Sequence, residues 1–205
     1  MPDAQASAAI LLVAGPLIGV LGFYDRALYT IWTAPRAEFL AIIARHRRGW
    51  IALNFGFGVA TLTTTVGLAL VVASIRVEAT VQAWLALAVG AYAFGGGMWF
   101  AVLAIRTRTA PLLATMAATG RSAEPADAIL DAASGALFAA YVLLTGLALT
   151  GLGVGLVIGG VVAPVGALVA LSGVACVVWL MRTGDIIPAV LYVPTTVLGV
   201  ALLLG

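Results

Sequence analysis

The sequence predicts an all-α polytopic membrane protein. The expected architecture is a bundle of six transmembrane helices, with a cytoplasmic interfacial helix between helices 1 and 2. Three observations lead there. First, 63% of the 205 residues are hydrophobic and 9% are charged, against roughly 25% charged in a soluble domain. Second, long charge-free stretches recur along the whole chain. Third, the basic residues cluster in alternate loops. Mean hydropathy is +1.17. Such a composition excludes disorder, which needs low hydrophobicity and high charge. It also leaves no water-facing surface for an ordinary soluble enzyme.

A helical span needs about 20 apolar residues. Spans are expected at about 7–23, 51–75, 81–105, 136–157, 161–181 and 186–204, all within one integral membrane domain, 1–205. The fourth and fifth come from one apolar run that is too long for a single span, with a turn placed between Gly151 and Gly160. All ten basic residues are arginines. Arg26, Arg36, Arg45, Arg47 and Arg48 lie between helices 1 and 2. Arg106, Arg108 and Arg121 lie between 3 and 4, and Arg182 between 5 and 6. Only Arg76 falls on the opposite side. Basic loops stay cytoplasmic, so both termini are expected outside, in the plasma (inner) membrane. The lysine-free Ala/Gly/Val/Arg bias fits a GC-rich bacterial coding sequence.

The elements follow in order. Residues 8–23 resemble a signal peptide in length. Only Asp3 precedes them, however, so they lack the basic n-region and read as a retained first helix. In 24–50, a full span would bury Arg36 and Glu38 at about 2.5–3.5 kcal/mol each. An interfacial helix is expected instead, with Pro35 in its first turn, Arg45, Arg47 and Arg48 at its C-terminal end, and Gly49 as a hinge before Trp50. These three arginines are the expected contacts for anionic lipid headgroups. Thr109 and Pro111 should begin a short helix ending at Gly120. Ser122, Glu124 and Pro125 should start helix 4, with Asp127 and Asp131 in its first turns. Asp185 should cap helix 6, and Pro194 should kink it in mid-span.

The chemistry is read mostly from what the spans contain. No Asp, Glu, Arg or His lies near the middle of any span. That argues against proton-coupled antiporters, voltage sensors, pumps and intramembrane acid–base catalysis. The absence of lysine excludes a retinal Schiff base. Cys176 lies in an apolar run and reads as a small buried hydrophobe. His46 stands alone, too few for a haem or a histidine-based zinc site. No cofactor is expected. Asp127 and Asp131 stand i, i+4 on one helix face. No second acidic motif accompanies them, so helix capping is preferred over Mg²⁺ binding.

Asn54, Gly58, Thr61 and Thr65 share one face of helix 2. With Tyr92, Tyr141 and Tyr192 they form either a polar packing stripe or a pocket wall. Packing is favoured, at about 0.6 kcal/mol per interhelical hydrogen bond. Gly15 and Gly19 form a GxxxG pair, and Gly151, Gly155 and Gly159 form two more. Either set serves close helix packing or an oligomer.

The preferred functional expectation is a noncatalytic membrane subunit, scaffold or partner-binding protein. The bilayer is its environment, and a membrane-protein partner or a second copy is its companion. Nucleic acid is not expected. The first alternative is a carrier or channel for a neutral or lipidic molecule, resting on the Asn54–Thr65 stripe. The second is a membrane enzyme acting on lipid headgroups at the cytoplasmic face, resting on Asp127, Asp131 and the nearby arginines.

Overall fold

The computed structural model describes residues 2–21, 24–120 and 124–204. It is all-helical, with no strand among these residues. The seven α-helices are α1 (Pro2–Leu21), α2 (Arg36–Arg45), α3 (Arg47–Ser74), α4 (Ala79–Ala118), α5 (Glu124–Ile158), α6 (Ala163–Thr183) and α7 (Val193–Leu204). Short 3-10 helices cover Arg26–Thr30 and Pro188–Tyr192. Five helices, α1, α3, α4, α5 and α6, are long and apolar enough to cross a membrane.

The expected sixth span differs in form. It is a 3-10 turn followed by 12 α-helical residues, about 28 Å in all at the usual rises. Pro194 stands in the first turn of α7 rather than at a mid-span kink. Its missing N–H is harmless there, and the hydroxyls of Thr195 and Thr196 both donate to the Tyr192 carbonyl at the junction, each at 2.9 Å. Asp185 accepts from Ile186 N at 2.8 Å, but Ile187 is the N-cap of the 3-10 turn.

Two further expectations are corrected. Gly49 is not a hinge: α3 begins at Arg47, and Gly49 lies buried in its first turn against Asp25. A Cβ there would meet Asp25 Oδ2 at 2.7 Å. No break occurs at Thr109 or Pro111. Pro111 lies inside a continuous 40-residue α4, where packing of Ala110, Leu113 and Ala114 in the core outweighs one lost hydrogen bond. The chain then turns at Gly120 with φ +70°, as expected. The α5–α6 turn lies inside the expected Gly151–Gly160 stretch, at its far end. That turn falls at Gly159–Gly160, with Gly160 at φ +67°. Ser122 lies outside the described residues, and α5 starts at Glu124 with Pro125 in its first turn.

The packing is a ring: α1 on α3, α3 on α4, α4 on α5, α5 on α6, and α7 returning to α1, with slight contact between α6 and α7. Glycines set the close approaches. Gly15 and Gly19 face Thr63 and Ala60 of α3. Gly155 faces Leu85 and Trp84 of α4. Gly199 of α7 faces Leu12 and Ala9 of α1. The GxxxG pairs are therefore spent on contacts within the chain. Large apolar side chains such as Phe55, Leu87, Phe94 and Leu171 cover the outside, a surface suited to lipid tails.

Candidate functional site

Two places gather the chain's polar chemistry: the bundle centre and the arginine-rich end. The centre holds the expected stripe. The Asn54 amide donates to the Trp50 carbonyl at 2.8 Å. Thr61 Oγ1 donates to the Phe57 carbonyl at 2.9 Å and lies 2.7 Å from the Tyr192 hydroxyl. Thr65 donates back to the Thr61 carbonyl. Each hydroxyl thus satisfies itself on the preceding turn of its own helix. The Thr61–Tyr192 contact ties α3 to the segment before α7, and the Tyr192 hydroxyl also donates to the Phe57 carbonyl at 3.4 Å.

Tyr141 stacks on Trp99, with ring centroids 5.1 Å apart and planes 12° apart. Phe138 and Phe57 pack around the same indole. Tyr92 is also buried, but it belongs to the neighbouring core cluster with Leu85, Leu149 and Leu198. The hydroxyls of Tyr92, Tyr141, Thr64 and Thr145 and the Trp99 indole N–H have no hydrogen-bond partner. Of the expected residues the fold thus brings Thr61 and Tyr192 together and packs Tyr141 into the aromatic centre around Trp99, while Tyr92 stands apart. Cys176 is buried within the same core.

At the arginine-rich end, α2 and the 3-10 turn fold under the bundle. Leu28, Ile31, Leu40 and Ile43 insert into the core beside Trp50 and Leu113. Asp25 secures this junction. Its Oδ1 accepts from Ala27 N at 3.1 Å, and its Oδ2 lies 2.8 Å from His46 Nδ1. His46 is accordingly a structural residue at the α2–α3 corner. The Trp50 indole donates to the Arg106 carbonyl at 2.9 Å, joining α3 to α4.

Between these elements opens a pocket of about 510 Å³. Its charged lining is Arg36, Arg106, Asp127, Asp131 and Asp185. Arg36 grips Asp127 through Nε at 2.8 Å and again through Nη2, and its Nη1 is 4.0 Å from Asp131. The hydrogen bonds from Asp127 hold the Arg36 guanidinium above its usual range, against the opposing effect of burial. Asp127 and Asp131 do share a face, as their spacing implies, but they face an arginine. Among the described residues no three His, Cys, Asp or Glu side chains gather as a metal site would require.

Arg106 is the residue that sequence reasoning missed. It serves there only as a topology arginine. In the fold its guanidinium lies over three rings: Trp99 at 5.3 Å, Trp32 at 5.5 Å and Phe138 at 5.8 Å. Trp99 stands seven residues earlier on the same helix, but Trp32 and Phe138 come from distant segments that no local spacing announces. Arg45, Arg47 and Arg48, the expected headgroup contacts, are exposed and do not line this pocket.

Comparison with protein-family models, with curated proteins and with solved structures gives no match.

Proposed function

We propose that this chain is a noncatalytic integral membrane protein, a subunit or scaffold that acts by holding a partner in the bilayer. The partner is another membrane protein or a second copy. In this reading the segment Pro188–Leu204 completes six spans in the plasma membrane. The arginine-rich end is cytoplasmic and both termini lie outside.

The observation that supports it is the filled centre. The Trp99–Tyr141 stack and the Thr61–Tyr192 contact occupy the place where a carrier would need a polar passage. Isolation in mild detergent tests it. The chain should emerge at fixed stoichiometry with a partner or with itself. A solitary 20.8 kDa chain with a small molecule bound between Thr61 and Tyr192 would overturn the reading. A reporter fused to the C-terminus tests the topology: it should read as extracytoplasmic.

The carrier reading keeps one supporting observation, the break in the last span at Tyr192 beside unpartnered hydroxyls. Discontinuous helices mark the sites of many transporters. It requires Asn54→Leu or Thr61→Val to abolish uptake at unchanged yield. The headgroup-enzyme reading is weakened because Asp127 is already neutralised by Arg36. Unaltered turnover in an Asp127→Asn, Asp131→Asn double variant would end it.

A further inference from the structure

We infer that the pocket at the arginine-rich end binds a zwitterionic aminophosphate, with its phosphate on Arg106 and its primary ammonium at Asp131 and Asp185. The argument begins with Arg106. Trp32, Trp99 and Phe138 occupy its surroundings as ring contacts. Such contacts supply no oxygen acceptor to the five N–H donors of a guanidinium. Among the described residues the Arg106 side chain makes no hydrogen bond, and no carboxylate lies within 4 Å of it. It is half-buried and lines the pocket. A partly desolvated guanidinium whose N–H donors lack a direct acceptor is costly. A phosphate presents two oxygens at the spacing of the guanidinium fork and relieves that cost.

The depth of the site points the same way. Arg106 stands 27 residues beyond the start of α4 at Ala79, about 40 Å along the helix at 1.5 Å per residue. The hydrocarbon core is about 30 Å thick, and the bilayer with its headgroups about 40–45 Å. On the six-span reading proposed above, with Ala79 at the opposite interface, Arg106 lies at the level of phosphates rather than of acyl chains.

The acidic groups set the rest of the ligand. Asp127 is taken by Arg36. Asp131 is 74% exposed and touches only the edge of Arg36, at 4.0 Å. Asp185 accepts from one backbone N–H. Asp131 and Asp185 thus face Arg106 across the same pocket, acting on it through the intervening space with no direct hydrogen bond. A simple anion is repelled by the carboxylates, and a simple cation by Arg106. A molecule carrying both charges meets each. A primary ammonium offers three N–H donors to the carboxylates, whereas a quaternary ammonium offers none. This chemistry has two sources, the headgroup of phosphatidylethanolamine and free phosphoethanolamine.

The test uses the full chain in detergent micelles. Native mass spectrometry would be run with phosphatidylethanolamine, phosphatidylglycerol and phosphatidylcholine of identical acyl chains, and with free phosphoethanolamine as competitor. Phosphatidylethanolamine should bind at least about tenfold more tightly than phosphatidylglycerol, because the glycerol headgroup offers the carboxylates neutral hydroxyls but no cation, and its net negative charge is repelled by them. Arg106→Gln should weaken it by about tenfold or more, the worth of charge-assisted hydrogen bonds. Should Arg106→Gln fail to fold, the Asp131→Asn, Asp185→Asn double variant decides, since both side chains are at the surface. It should erase the preference for phosphatidylethanolamine over phosphatidylglycerol. Displacement by free phosphoethanolamine assigns the soluble source; retention of phosphatidylethanolamine against it assigns the lipid. Equal binding of the ethanolamine and glycerol lipids by the native chain would overturn the proposal. So would a preference that survives the double variant, or a folded Arg106→Gln chain that binds as before.

Discussion

Gly153 of α5 and Gly166 of α6 meet backbone to backbone. A Cβ on Gly153 would lie 2.3 Å from the Gly166 carbonyl oxygen and 2.4 Å from Ala170 N. One turn pair further along, a Cβ on Gly173 would lie 2.4 Å from the Gly146 carbonyl oxygen. The α5–α6 hairpin is therefore built at a separation that only glycine permits. No flexible side chain stands there to move aside.

Gly153→Ala is expected to destabilise the bundle by about 1–3 kcal/mol or more, the cost of overpacking a rigid contact. Thermal melting in detergent checks this, with Gly90→Ala as the control. Gly90 has open space around its Cβ position, and a helical Gly→Ala exchange there should be neutral or stabilising. Equal melting temperatures for the two variants would refute the close-contact account.

Two tyrosines at the centre should behave oppositely. Tyr192→Phe removes the hydroxyl that Thr61 meets at 2.7 Å, and about 0.6 kcal/mol of stability should go with it. Tyr92→Phe removes a buried hydroxyl that has no partner. That change should leave stability unchanged or raise it, because an unpaired buried polar group is itself a cost. A melting series in which Tyr92→Phe is the more damaging variant would count against this centre.

Arg36 and Asp127 bridge 91 positions of sequence and fasten α2 to the start of α5. A double-mutant cycle with Arg36→Gln and Asp127→Asn should give a coupling near the upper end of the 0.2–1 kcal/mol found for about surface-level pairs. The Asp127 side chain is only 15% exposed. Part of that coupling should fade as salt is raised toward 1 M, where screening acts over about 3 Å. A coupling of zero at low salt would remove the clamp.

Glu78 caps α4, accepting from Thr80 N at 3.1 Å and from Thr80 Oγ1 at 2.7 Å. These bonds favour the carboxylate and hold Glu78 below its usual 4.5. A folded value below the unfolded one means the stabilisation is present above about pH 4.5 and is lost as pH falls through the folded value. Melting followed from neutral pH down to about pH 3 should show a larger decline for the native chain than for Glu78→Gln. Parallel curves would show that the cap contributes nothing.

The helices were legible because apolar length is written directly in the sequence. The hydrophobic runs locate α1, α3, α4, α5 and α6, and Pro35, Gly120 and Pro125 mark real boundaries. What failed was local reasoning overruled by packing. Pro111 looks like a break, yet the contacts of Ala110, Leu113 and Ala114 with the core carry α4 straight through it. Gly49 looks like a hinge, yet its missing side chain makes room for Asp25. The pocket was half legible. Asp127 and Asp131 were visible from their spacing. Arg106 was not, because its significance depends on Trp32 and Phe138, which only the finished fold brings around it.

The ring of helices has a consequence for how the protein is made. α7 is the last described helix to leave the ribosome, and it docks on α1, the first, through Gly199 against Ala9 and Leu12. The surface of α1 that receives it stays uncovered while α3 to α6 are made, until Pro188–Leu204 follows. Closure is thus a late, long-range event. A ribosome stalled before Pro188 would leave a bundle of intact helices with a free edge at α1.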